Sequence, residues 1–153
     1  MSVSDPVKIR ITLPLSDWHN YSAETLWATP IGDNEYILDN SPFFTNELSF
    51  MDTIYAVVEE GNGFPEFKHV TKRGGHSTYR IVLQDTTTLE KFNEYIKPLN
   101  DIDCTFEGFK ERQYALDVPP ETDINNAFEL LKIGENDEVW FFESSHIGHH
   151  HYP

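Results

Sequence analysis

The chain is short of cysteine. Cys104 stands alone among 153 residues, so no internal disulfide can form. A lone thiol fits a reducing compartment, and the chain is expected in the cytoplasm. The opening residues, MSVSDPVKIR, carry no apolar run of signal-peptide length. No stretch approaches the ~18 apolar residues of a membrane span, so no membrane partner is expected. Cations are scarce as well. Lys and Arg number 11 against 26 Asp and Glu, for a net charge of -15. Residues 11–67 hold no Lys or Arg at all and carry a charge of -10. Such a surface repels phosphate backbones, which excludes a nucleic-acid platform. Signature motifs are missing too: no GxSxG elbow, no HExxH, no CxxC and no GxxxxGK[ST] loop. No cofactor and no metal site is expected.

What remains is a globular composition, 39% hydrophobic and 14% aromatic. A chain of this size buries roughly 68–70% of its unfolded surface, enough to fold without a metal or disulfide. Alternation over residues 7–13 sets Val7, Ile9, Ile11 and Leu13 on one face, which predicts a half-buried strand. Further strands are expected over 24–31, from 35 to 38, over 53–58, 67–72 and 77–83. Gly32-Asp33-Asn34 and Gly74-Gly75 mark turns between them. Leu89, Phe92, Ile96 and Leu99 recur at helical steps, with Pro98 limiting the end. Strands follow over 104–109 and 112–118. Ile124, Ala127, Phe128 and Leu131 make a second helical stripe, capped by Thr122 or Asp123 and closed by Gly134. A last strand is expected over 138–142.

The expected fold is α+β. Residues 1–75 form a small antiparallel β-sheet or open barrel of SH3-like size. Residues 76–153 run strand, helix, strand, strand, helix, strand, the order of a ferredoxin-like βαββαβ unit. The two parts pack as one body, because the turn between them is too short for independent motion.

Two functional readings arise from the residues. In the first, the cation-free half is shaped for a basic protein, and charge steers the encounter. Asp33, Glu35, Asp39, Glu47, Glu59 and Glu60 are the acids expected to meet it, with Trp18 and Tyr36 as aromatic anchors. In the second, Asp39, Asp52, His76 and His149 supply acid, base or metal ligands to a small-molecule reaction. Lys68, Lys72, Arg73, His76 and Arg80 form a basic cluster, expected to pair with the chain's own acids. The tail from His146 holds four of the seven histidines and is expected to fray. Cys104 opens a buried strand and is read as inert.

Several short strips carry a resemblance. They are Glu24-Thr25-Leu26-Trp27-Ala28-Thr29-Pro30, Leu38-Asp39-Asn40-Ser41-Pro42-Phe43-Phe44, Asp52-Thr53-Ile54-Tyr55-Ala56 and Gly74-Gly75-His76-Ser77-Thr78-Tyr79-Arg80. Glu138-Val139-Trp140-Phe141-Phe142-Glu143 and Gly148-His149 extend them. Together they resemble a bacterial family known as domain of unknown function 4265, over residues 7–149. The resemblance leads one to expect a glycine before Asp52, where this chain has Met51. It implies a fold rather than a mechanism. By type, small acidic cytosolic chains are also similar to immunity proteins that neutralise secreted bacterial toxins. That likeness makes the first reading concrete: an inhibitor covering the cationic site of a nuclease-like toxin.

Overall fold

The computed structural model describes residues 5–16, 19–61, 63–110 and 112–149. Five strands come first: β1 (Val7–Thr12), β2 (Ala23–Gly32), β3 (Glu35–Leu38), β4 (Thr53–Val58) and β5 (Pro65–Lys72). Each pairs antiparallel with the next. The sheet was expected to be antiparallel and open, but β5 returns to β1 and closes a barrel. The closing contact is parallel, Arg10 opposite Glu66. Glu66 explains it. This buried carboxylate accepts from Arg10 Nη1 at 2.6 Å and from Thr12 N and Oγ1 at 3.2 Å each. A buried acid held by a cation and two further donors fixes a seam that no hydrophobic pattern announces. Inside the barrel lie Ile9, Ile11, Leu26, Ala28, Leu38, Ile54 and Ala56.

The second unit runs β6 (Ser77–Leu83), α1 (Leu89–Asp101), β7 (Thr105–Lys110), β8 (Gln113–Val118), α2 (Ile124–Asn136) and β9 (Trp140–His146). Its four strands lie in the order β7-β8-β6-β9, with every neighbour antiparallel. Both helices cover one face. Phe92, Ile96 and Leu99 of α1 and Ile124, Ala127 and Leu131 of α2 pack with Tyr79, Ile81, Leu116 and Trp140 into a second core. Thr88 caps α1 by accepting from Lys91 N, and Asp123 caps α2 by accepting from Asn125 N. Two expected helix ends move. The first helix continues past Pro98 to Asp101. The second continues past Gly134, which is buried against the Trp140 indole and is not a cap.

The other face of this sheet meets the barrel through the loop of residues 39–52. Phe44 and Leu48 of that loop plug the near end of the barrel. Met51 sits at φ 70, and the neighbouring Gly74 is so close that a Cβ there would lie 2.5 Å from Met51 O. The positive φ is why a glycine would suit the position that Met51 occupies. Among the described residues no helix is long and apolar enough to cross a membrane.

Candidate functional site

Strand direction sorts the acids into two groups. The starts of β1, β3 and β5 and the ends of β2 and β4 all lie at the barrel end away from the second sheet. Asp33, Glu35, Glu59 and Glu60 therefore converge there, on the two turns that follow β2 and β4 and on the first residue of β3. Ile31, Val58 and Phe64 lie at the same end, 52%, 65% and 42% exposed. Two of the acids have partners of their own. Glu35 accepts from Thr71 Oγ1 at 3.1 Å, and Glu59 pairs with Lys68.

The remaining expected contacts fall elsewhere. Asp39 and Glu47 are exposed but belong to the 39–52 loop, at the opposite end of the barrel. Tyr36 is half-buried and packs against the barrel core, so much of its ring is committed to the fold. Trp18 lies outside the described residues.

The 39–52 loop is fastened from both units by three acids, of which only Asp52 stands out in the sequence. Glu24 accepts from three successive backbone N–H groups: Phe43 at 2.9 Å, Phe44 at 3.0 Å and Thr45 at 2.8 Å. Glu107 of β7 accepts from Asn40 Nδ2 at 2.8 Å and Ser41 N at 2.6 Å. Asp52, fully buried, accepts from Ser49 N, Gly74 N and Arg73 Nη1, each at 2.9 Å. Arg80, nearly buried in β6, reaches Asn46, Ser145 and Glu143. Burial pushes its guanidinium below the ordinary arginine range, and the charges of Glu143 and Glu24 oppose that.

No hydrogen bond joins any two of the four residues of the acid–base reading, Asp39, Asp52, His76 and His149. Asp39 is exposed. Asp52 is saturated by its three donors. His149 bridges Ser77 Oγ at 2.6 Å and the carbonyls of Pro119 and Thr122 at 3.0 Å, which fastens the chain after β9. His76 faces a carboxylate the sequence reading passed over, Asp117, at 2.9 and 3.0 Å. Burial raises the Asp117 carboxyl, and His76 pulls it back down. Three further cations of the basic cluster are taken up by acids, Lys68 by Glu59, Arg73 by Asp52 and Arg80 by Glu143, whereas Lys72 forms no such pair among the described residues. Among the described residues, no group of three or more His, Cys, Asp or Glu could hold a metal ion. The expectation of a frayed tail fails through residue 149: His146 ends β9, and Gly148 and His149 are bonded to Ser77.

A family model described as a domain of unknown function, DUF4265, matches residues 24–142. The chain belongs to the DUF4265 family. The match runs from Glu24 in β2 into β9, so it covers four of the five barrel strands, the junction and most of the second sheet, and is shorter than the 7–149 the strips suggest. A crystal structure of a hypothetical protein from Neisseria gonorrhoeae is similar in fold, with a TM-score of 0.76 at 17% identity over 97% of each chain. No curated protein matches the chain.

Proposed function

We propose that this DUF4265 protein is a binding module that presents the distal end of its barrel to a basic protein. An immunity-type inhibitor of a cationic, nuclease-like toxin is the most concrete form of that reading. One observation carries it: Asp33, Glu35, Glu59 and Glu60 share one end with the exposed Ile31, Val58 and Phe64. Acids steer a cationic partner and the apolar residues hold it once docked. Asp39 and Glu47, at the near end, are left out of this surface. For the second unit we propose the ferredoxin-like arrangement, which its strand order and its two helices on one face support.

The test compares the chain with a Glu59→Lys, Glu60→Lys variant. Both residues are exposed, and an exposed pair such as Lys68–Glu59 is worth about 1 kcal/mol or less, so the variant should fold. Each is mixed with source-cell lysate at low salt and at about 0.5 M salt, where the screening length falls to a few ångströms. A single basic protein should co-elute with the unaltered chain at low salt and be lost in both other conditions. Binding that ignores salt, or that survives the reversal, sinks the proposal.

A further inference from the structure

The corner of the loop at residues 49–52 is held by a short relay of hydroxyl and imidazole groups. Thr78 Oγ1 donates to Ser49 Oγ at 2.8 Å, and Ser49 Oγ lies 2.7 Å from His146 Nδ1. Ser49 and Thr78 are fully buried, and His146 is half-buried. A bulge positions the imidazole. The register of β6 against β9 shifts between Thr78 and Tyr79, leaving Ser145 as the extra residue. Two consecutive side chains of β9 thereby reach the loop, Ser145 to Thr45 O at 2.9 Å and His146 to Ser49.

The relay is complete with the ring neutral. With Nδ1 unprotonated, Ser49 accepts from Thr78 and donates its single proton to His146 Nδ1. An imidazolium can only donate: its Nδ1–H would take the second Ser49 lone pair, and the Ser49 proton would have to leave the ring and find another acceptor in a buried place. The charges acting on the ring are Arg73, from the connection between β5 and β6, and Asp52, from the loop. A second cation beside Arg73 would find Asp52 already accepting three hydrogen bonds.

We propose that His146 and Ser49 form a proton-operated latch, closed at neutral pH, whose opening on acidification frees the 49–52 corner while both cores stay folded. Burial first and Arg73 second hold the His146 ring below the ordinary histidine value of 6.5, with Asp52 opposing. The folded junction therefore favours the neutral ring. The contact is at full strength above 6.5 and is lost as pH falls through the folded ring's own value, which lies below 6.5.

Amide hydrogen exchange on the full chain tests this. The Ser49 and Gly74 amides, both donors to Asp52, are followed from about pH 7.5 down through the titration of the His146 ring, with intrinsic rates corrected. Their protection should drop by about tenfold while amides of β1 and β2 keep theirs. In His146→Asn the side-chain oxygen can accept from Ser49 and does not titrate, so the pH dependence should vanish. Flat protection, a joint loss at all amides, or the same dependence in His146→Asn overturns the latch. Should that variant fail to fold, the ring titration of His146 in the unaltered chain decides. A midpoint shared with the amide change supports the latch, and a different midpoint refutes it.

Discussion

Replacing Glu24 by Gln tests whether the fastened loop is held by charge. The carboxylate takes Phe43 N on Oε1 and Phe44 N and Thr45 N on Oε2. Glutamine keeps the shape but has one oxygen. If that oxygen stays with Phe44 and Thr45, the new NH2 points at the Phe43 N–H, donor against donor. One bond is then lost outright, leaving a donor unsatisfied at a cost of about 1–3 kcal/mol. The two bonds that survive pass from charge-assisted to neutral, and such bonds are worth roughly half as much. Glu24 is only half-buried and water can relieve part of this, so the expected loss is about 2–4 kcal/mol. That is a large share of the 5–15 kcal/mol that holds a typical domain. With a urea slope of about 1–3 kcal/mol per molar, the midpoint should fall by roughly 1–2 M. Urea unfolding followed by tryptophan fluorescence measures it. A midpoint within about 0.2 M of the unaltered chain would refute the assignment of Glu24 as the anchor of residues 43–45.

Two further outcomes follow from the second core. In a helix interior Gly134→Ala should add about 1 kcal/mol of stability from propensity alone. Here the new methyl would lie 2.5 Å from Cζ2 and Nε1 of the buried Trp140, whose Nε1 donates to Leu131 O at 2.9 Å. Overpacking of about 1–3 kcal/mol and the strained indole bond should outweigh the gain, lowering Tm by several degrees in a thermal melt. Cys104 is 1% exposed, and burial pushes its thiol up to about 12, with Asp117 and Asp103 adding to the shift. A maleimide should leave the folded protein unlabelled at pH 8 and react in urea; fast labelling of the native chain would contradict the buried placement.

Regular patterns were legible from the residues. The strands Thr53–Val58 and Ser77–Leu83 fall where the apolar runs put them, and both helical stripes pack as their spacing requires. What escaped is polar and distant in sequence. Glu24 meets residues 19 to 21 positions on, and Glu107 reaches back 66 and 67 positions. An acid count treats both as solvated surface. The strand expected over 138–142 extends to His146, because Glu143, Ser144, Ser145 and His146 lack the apolar alternation that marks a strand. Two of them, Ser145 and His146, bind polar groups of the loop. Gly134 read as a helix stop for a related reason: its role depends on an indole brought in by the next strand. The barrel seam rests on one buried acid, Glu66, and periodicity carries no signal for a single parallel contact. Met51 is the case where the family resemblance pointed to an unusual backbone. The glycine expected there is absent, yet the backbone still adopts a positive φ.

The division of acids makes the binding proposal sharper than the net charge of -15 alone. Within the cation-free run, Glu24, Asp52 and Glu66 each accept several hydrogen bonds that hold loop or seam. Arg10 and Arg73 offset the charges of Glu66 and Asp52, and the Glu24 carboxylate is turned to the loop amides. Asp33 and Glu60 stand exposed at the distal end. Charge changes in the two groups should therefore fail in opposite ways. Glu24→Gln should lower the urea midpoint and, in whatever fraction stays folded, leave the salt dependence of partner binding as it was. Glu60→Lys should leave the midpoint within about 0.5 kcal/mol of its starting stability and weaken association, most strongly at low salt, where screening is least. Two variants and two assays thus give a crossed pattern. If both changes alter stability alone, the distal acids are part of the fold and no steering surface exists there. If both alter binding, the loop end of the barrel belongs to the interface as well, and Asp39 and Glu47 return to it.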